Sequence, residues 1–491
     1  MLNKNFYITT TLPYINSDPH IGFAAEIIKA DVIARYMAQR GAKVFFNTGT
    51  DEHGLKIFQK AQEAGILIQE FCDKNSAKFL PLKERLNLSY TNFIRTTDEN
   101  HKKAAQEFWR RCEANGDIYK KAYQVKYCVG CEMEKTDSEL ENGFCPFHPG
   151  KELEIIDEEN YFFRFSNYGE KLLTLYETNP DFVKPESRLK EIKSFVERGL
   201  KDFSISRLKE KMPNGVLVPG DETQVMYVWF DALVNYISTL GWPNENESEN
   251  FKNFWPGLQV CGKDNLRPQA AMWQAMLMSA KIPNSTKILV FGFLTANGKK
   301  ISKSAGNGVD PYELVDKFGA DSLRYYLLAE ISPFEDGDYS LDKFFDRYNA
   351  DLANGLGNLS SRVSNLLEKN EIITDLKVNL EDESVKNLVI NFENLFSAYR
   401  FNECLQLIWA KIKVCDETLS KETPWKVENR DDVAEILKPM AQTILNLAYL
   451  LEPFIPESAG KIKETFSVSK IKKLPPLFPR LQKPESDNKQ N

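Results

Sequence analysis

Two strand–helix–strand patterns, more than two hundred residues apart, constrain the fold of this chain more than any other feature. The first begins with residues 5–11, rich in Tyr, Ile and Thr, and breaks at Leu12-Pro13-Tyr14. A helix is expected over 22–40, where Phe23, Ile27, Ile28, Val32, Tyr36 and Met37 share one face. Gly41 stops it, and residues 44–46 read as the next strand. The second pattern places a strand at 258–261, a helix at 270–280 and a buried strand at 288–293. One crossover between two strands makes them parallel. Two such halves with residues spliced between them form the pattern of a split, doubly wound nucleotide-binding domain. Beyond Phe345 the β signal fades. Tyr348, Leu352, Leu356, Leu359, Val363 and Leu366 step by three and four, and similar stripes cover 385–420 and 433–450. That tail reads as an all-α bundle.

A chain of 491 residues suggests about three domains. Its 42 % hydrophobic and 12 % aromatic content supports globular cores. The net charge of −7 excludes a broadly basic, nonspecific nucleic-acid binder but leaves room for a local patch. Residues 454–491 hold eight Lys or Arg against four Asp or Glu. This reads as a solvated face, or as an RNA-facing end of the helical tail. The most apolar helical run, 270–280, falls short of the ~20 residues a membrane span needs. The opening residues carry no secretory signal. No membrane association and an intracellular, cytoplasmic location are therefore expected.

Five of the eight cysteines (Cys72, Cys112, Cys261, Cys404 and Cys415) are scattered and read as reduced, buried thiols. The other three cluster with a histidine. Cys128-Val129-Gly130-Cys131 and Cys145-Pro146-Phe147-His148 are two short knuckles separated by 13 residues, with Asn142-Gly143 supplying a tight turn between them. Three thiolates and an imidazole close a tetrahedral Zn2+ shell, structural rather than catalytic.

Two motifs suit polyphosphate. Pro19-His20-Ile21-Gly22-Phe23 lies where the first strand turns into a helix, whose N-terminus would offer free N–H groups and a positive dipole end. Gly22 would let a flat base approach the backbone. Lys300-Ile301-Ser302-Lys303-Ser304, expected directly after the last strand, would fold over phosphates and neutralise charge as pyrophosphate leaves. Taken singly, these are a turn and a solvated basic loop. In the segment 227–236, Trp229 and Tyr236 offer an aromatic wall against which a thioether packs well, or plain core.

In order and context the two phosphate motifs resemble the His-x-Gly-His and Lys-Met-Ser-Lys-Ser signatures of class I aminoacyl-tRNA synthetases. Phe23 and Ile301 are the departures. The metal knuckles and the Trp229–Tyr236 segment extend the resemblance to the methionyl-tRNA synthetases, over the chain up to about Leu481. The resemblance implies a ligase that activates L-methionine with ATP to methionyl-adenylate and transfers it to the 3′ end of methionine tRNA. It implies catalytic roles for His20, Lys300 and Lys303. His20, Gly22, Asp264, Lys300, Ser302 and Lys303 would bind ATP, with Mg2+ and with Asp264 on the ribose. Thr11, Leu12, Tyr14, Asp51, Trp229, Leu233, Tyr236, Asn265 and Gln269 would form the methionine pocket. Asp51 there would supply the counter-charge a buried ammonium requires. Asn358, Arg362, Pro424 and Trp425 would meet the anticodon, with Trp425 stacking on a base. Where the family carries His, this chain has Phe23, Gln269 and Phe291. Asn265 replaces a usually apolar residue, so with Gln269 a more polar pocket is expected.

The expected architecture is an α/β Rossmann-type catalytic domain split by a zinc-binding connective insert, followed by an all-α helical-bundle anticodon-binding domain. Its boundaries are 1–115 for the first catalytic half, 116–200 for the insert and 201–294 for the second half. Residues 295–345 form the signature-loop and stem-contact region, 346–483 the helical domain, and 484–491 a disordered tail. With no further domain after Leu481, a monomer is expected. The rival readings are a class I synthetase for another amino acid, which an insert too small for an editing domain disfavours, and a non-catalytic zinc- and tRNA-binding paralogue.

Overall fold

The computed structural model describes residues 4–131, 133–135, 137–244, 249–296, 298–300 and 309–483. They fall into two compact units. One comprises Met1–Pro19, Met37–Pro81 and Ser89–Phe291; the other comprises His20–Tyr36, Leu82–Leu88 and Gly292–Asn491.

The first unit is built on a six-stranded parallel sheet. Strands β1 (Asn5–Thr10), β2 (Lys43–Thr50) and β3 (Asn92–Arg95) run outward on one side. On the other side β1 pairs with Leu258–Gly262, which pairs with Lys287–Phe291, which pairs with Val183–Lys184. Ile8, Phe46, Val260 and Leu289 are all buried, as the apolar runs of a covered parallel sheet require. Strand order reverses between β1 and Leu258–Gly262. This is the switch point beyond whose carboxyl ends such sheets bind ligands.

Val183–Lys184 lies inside the stretch expected to be insert. A two-residue strand shows no period, so only its register with Ile288 and Leu289 places it in the main sheet. Other strands of the insert form an antiparallel sheet in the order Met133–Lys135, Ile118–Cys128, Glu154–Phe163, Phe203–Ser204, whose last strand lies past the expected boundary at 200. Its long hairpin ladder runs from Ile118 opposite Phe163 to Tyr127 opposite Glu154. The first metal knuckle therefore begins at the hairpin's end, at Cys128. The expected helix over 270–280 is a π-helical stretch, Pro268–Met272, leading into an α-helix at Trp273–Ser279.

The second unit joins the helical tail to most of helix α1 (Ile21–Gln39). Buried Arg324 ties it together. Its guanidinium donates to the carbonyls of Phe454 (2.8 Å), Pro453 (2.9 Å) and Leu86 (3.2 Å) and pairs with Asp31 at 2.7 Å. A buried guanidinium needs that many acceptors. Two expectations are corrected here. The main sheet's last strand ends at Phe291, and a separate small sheet of Lys299–Lys300, Leu294–Ala296 and Gly337–Tyr339 carries the first residue of the signature motif, Lys300. The stripe over 385–420 is two helices, Lys386–Ser397 and Phe401–Glu422, broken where Tyr399 takes a φ of 59°. Among the described residues, no helix is long and apolar enough to cross a membrane.

Candidate active site and metal centre

Three segments leave the carboxyl ends of adjacent parallel strands around the switch point. After β1, Thr11 donates its N–H (3.1 Å) and its hydroxyl (3.4 Å) to the carbonyl of Val260. After β2, Asp51 N–H donates to Pro13 O at 3.0 Å, and Ile15 N–H donates to Asp51 O at 3.4 Å, so Tyr14 and Asp51 pair like strand neighbours. After the strand Leu258–Gly262, half-buried Asn265 donates to exposed Asp264 at 3.3 Å.

The Asp51 carboxylate is buried and accepts from His53 N–H (3.4 Å) and the Thr96 hydroxyl (3.3 Å). Its neighbour Glu52 is clamped by Arg95 through two nitrogens at 2.7 and 2.8 Å, by Thr50 at 2.7 Å and by Thr97 at 2.5 Å. Trp229 and Tyr14 pack in one cluster with Tyr127, Tyr227, Val228 and Ala232. Val129, from between the first two knuckle cysteines, joins it. Leu233 and Tyr236 are buried in the main core, with Tyr236 edge-on to Trp273 at 5.9 Å.

The expectation of a more polar pocket changes at Gln269. Its Nε2 donates to the Tyr236 hydroxyl at 2.5 Å, and its Oε1 accepts from Gln259 at 3.3 Å. Ser285 donates to Gln259 in turn, and Gln274 donates to Ser285 at 3.1 Å. The amide is consumed by an internal network and orients the tyrosine, so it does not present an open polar face.

Sequence reasoning missed four residues at this end of the sheet. Asp231, two residues past Trp229, is fully buried and accepts from His53 Nδ1 (2.6 Å) and His101 Nε2 (2.8 Å). Burial alone would push its carboxyl up. Attraction to His53 and the hydrogen bonds from both imidazoles outweigh that and hold it at about 2. Arg207 is buried between the rings of Tyr227 (4.5 Å) and Tyr127 (5.2 Å). No local spacing announces these partners. Scarcity of histidine was a signal: the chain has four, and two of them, His53 and His101, bind Asp231.

The phosphate-side residues fall in both units. His20, Gly22 and the strand ending at Lys300 belong to the second, and Asp264 to the first; Ser302 and Lys303 lie outside the described residues. At the start of α1 the expected free N–H groups are already engaged. Ile21 N–H donates to Val309 O (3.0 Å), Gly22 and Phe23 donate to His20 Nδ1 (3.1 and 3.4 Å), and Ala24 donates to His20 O (3.1 Å). The histidine is thus a helix cap, and accepting at Nδ1 puts its ring N–H on Nε2. A Cβ on Gly22 would lie 3.0 Å from that ring, so the missing side chain makes room for His20. The Ile21–Val309 bond also fastens the first described residue beyond the signature motif to the residue after His20. Asp310 then caps the next helix by accepting from Tyr312 N–H at 2.8 Å.

At the knuckles, the ligand atoms of Cys128, Cys131, Cys145 and His148 all lie within 4.8 Å of one another. Cys131 Sγ is 3.4 Å from Cys145 Sγ, and His148 Nδ1 is 3.7, 3.2 and 4.0 Å from the three sulfurs. A tetrahedron with metal–sulfur bonds of about 2.3 Å and a metal–nitrogen bond of about 2.0 Å has edges of roughly 3.5 to 3.8 Å, so the set fits a metal. Gly130 is required there: a Cβ would come within 2.6 Å of His148 Cδ2.

In the helical tail, Asn358 is exposed and opens the helix Asn358–Lys369. Arg362, one turn on, lies over the Trp425 ring at 5.4 Å and pairs with Asp416 at 2.8 Å. Pro424 is buried at the turn that presents Trp425, whose side chain is 47 % exposed and not core.

A split parallel sheet with its site at the switch point, a cysteine-rich insert and a helical tail defines a class I aminoacyl-tRNA synthetase. The family described as "tRNA synthetases class I (M)" matches residues 6–154 and 139–364. The methionine–tRNA ligase of Rhizobium meliloti (strain 1021) is 41 % identical over 477 residues, covering 94 % of this chain and 92 % of the relative. That of Thermosynechococcus vestitus is 42 % identical, covering 94 % and 90 %. Mycobacterium tuberculosis methionyl-tRNA synthetase bound to methionyl-adenylate superposes with a TM-score of 0.90 at 37 % identity, covering 97 % of this chain and 100 % of that one. The chain belongs to the methionine–tRNA ligase family.

Proposed function

We propose that this chain activates L-methionine with ATP and charges methionine tRNA. The observation that carries the reading is the buried Asp51 carboxylate at the end of β2, paired backbone to backbone with Tyr14. A buried carboxylate at the strand end, accepting from His53 N–H and the Thr96 hydroxyl, is the counter-charge that a buried ammonium group requires. Tyr14 and Trp229, in one aromatic cluster, supply apolar wall for a thioether. Thr11, Leu12, Leu233 and Tyr236 complete it, with Gln269 orienting Tyr236 and Asn265 at its margin.

In the first step the methionine carboxylate attacks the α-phosphorus of ATP, and the bond to the pyrophosphate oxygen breaks. Catalysis is positioning and charge stabilisation. His20 Nε2, Lys300, Ser302 and Lys303 share the phosphate charge with the Mg2+ that accompanies ATP, and Asp264 holds the ribose. In the second step the terminal hydroxyl of the tRNA attacks the methionyl carbonyl and AMP leaves. Cys128, Cys131, Cys145 and His148 would hold Zn2+, which supplies a structural cross-link to the tip of the insert. Asn358, Arg362, Pro424 and Trp425 meet the anticodon. We further assign the domain boundaries at 115, 200, 294, 345 and 483, a monomer, and a cytoplasmic location.

The test is ATP–pyrophosphate exchange with methionine, leucine, isoleucine, valine and cysteine offered separately. Exchange with methionine alone is expected. Exchange with another amino acid would keep the class and change the substrate, and none at all from folded protein would overturn the catalytic reading.

A further inference from the structure

Residues 51–53 are held from two sides. On one, Glu52 is bound by Arg95, Thr50 and Thr97. On the other, the His53 ring is bound by Asp231 at 2.6 Å, and Asp231 is bound again by His101 at 2.8 Å. His101 continues to the Ser238 hydroxyl at 3.0 Å. Because an ionised carboxylate only accepts, His53 donates from Nδ1 and His101 from Nε2. Asp231 sits in the helical turn Val228–Ala232, which also carries Trp229. The His53 backbone N–H reaches Asp51 at 3.4 Å. One buried carboxylate therefore joins the loop bearing Asp51 to the turn bearing the aromatic wall.

We propose that Asp231, clasped by His53 and His101, is a positioning residue for amino-acid recognition that sets Asp51 against the Trp229 turn. This rests on the reading of Asp51 as the ammonium ligand. Asp231 need not touch substrate: its effect passes through His53 to Asp51 on one branch and through its own helical turn to Trp229 on the other. Buried and bonded on both oxygens, it tolerates little movement of either element. Such a joint affects the amino acid and leaves nucleotide binding alone.

The experiment is ATP–pyrophosphate exchange on the full chain with methionine and ATP varied separately. Asp231→Asn should raise the KM for methionine about tenfold or more and leave the KM for ATP within about twofold. His53→Ala should behave likewise. His53→Asn, which retains a donor near the Nδ1 position, should recover most of the loss. Should Asp231→Asn fail to fold, His101→Leu and the donor-retaining His101→Gln make the same comparison. Asp51→Asn separates this inference from the reading beneath it. If Asp51→Asn raises the methionine KM but Asp231→Asn and His53→Ala do not, or if they raise both KM values together, the positioning role is wrong and the reading of Asp51 stands. If Asp51→Asn leaves the methionine KM unchanged, that reading fails and takes this one with it.

Discussion

Two carboxylates hold neighbouring side chains in place in this molecule, and they do so under opposite conditions. At the carboxyl end of the sheet, Asp231 is wholly buried between two imidazoles. In the helical tail, Asp416 holds Arg362 while their side chains remain 38 % and 32 % exposed. Water has been removed from the first, so its partners carry all of its solvation and the geometry has little freedom. Water still reaches the second, so Arg362 can exchange Asp416 for another anion at small cost. Recognition of a small amino acid demands the first condition. The proposed anticodon face, whose ligand arrives from solvent, carries the second.

The largest effect should therefore come from the buried carboxylate. Asp231→Ala leaves two imidazoles without their acceptor and should lower stability by about 3–5 kcal/mol, the usual cost of breaking a buried pair. Urea denaturation measures it; a loss below about 1 kcal/mol would place Asp231 in the same class as Asp416 and erase the contrast. The pH dependence has a definite sign. The Asp231 carboxyl is held at about 2, below its ordinary value of about 3.9. Its contribution should be full above about pH 4 and should fade as pH falls toward 2, where the wild type and Asp231→Asn should converge.

Next is His20, the cap of α1, to which the proposed function gives a second role at the phosphates. His20→Ala should slow activation by about 10²–10³-fold, the cost of one lost donor to developing charge. The methionine KM should hold, since Asp51 and its clamps are untouched. Pyrophosphate exchange at saturating methionine is the measurement, and near-normal turnover would confine His20 to capping α1.

What could be read from the residues alone follows the same division. Chemistry confined to short segments was legible: the knuckles of Cys128, Cys131, Cys145 and His148 converge. So were strands whose burial produces long apolar runs. Long-range pairing was not. His53 and His101 lie 178 and 130 residues from Asp231, and no spacing encodes such a contact. The π-helical stretch that carries Gln269 was hidden because an apolar period cannot distinguish a wider turn from an α-helix. Nor could the sequence show that the first N–H groups of α1 are satisfied by His20 and Val309.

On the proposed anticodon face, Trp425→Ala should weaken tRNA binding by about 1–3 kcal/mol, the range for loss of one base-stacking ring. Pyrophosphate exchange without tRNA should stay unchanged, because the sheet's site lacks no contact. A filter-binding titration beside the exchange assay tests both halves. A matching loss in exchange would mean that the exposed ring supports the fold and not the RNA.

The smallest effect belongs to Asp416. Asp416→Ala removes a single exposed ion pair, which is worth about 0–1 kcal/mol and is screened further by salt. Arg362 keeps its place over Trp425 at 5.4 Å, an arrangement worth about 0.5–1 kcal/mol at an exposed site. Its guanidinium therefore need not collapse onto a new partner. Denaturation of Asp416→Ala should be nearly indistinguishable from wild type, with any difference vanishing in high salt. A salt-insensitive loss of several kcal/mol would show that Asp416, like Asp231, is an internal strut. Recognition in both halves of the molecule would then rest on rigid carboxylates, and exposure would no longer separate them.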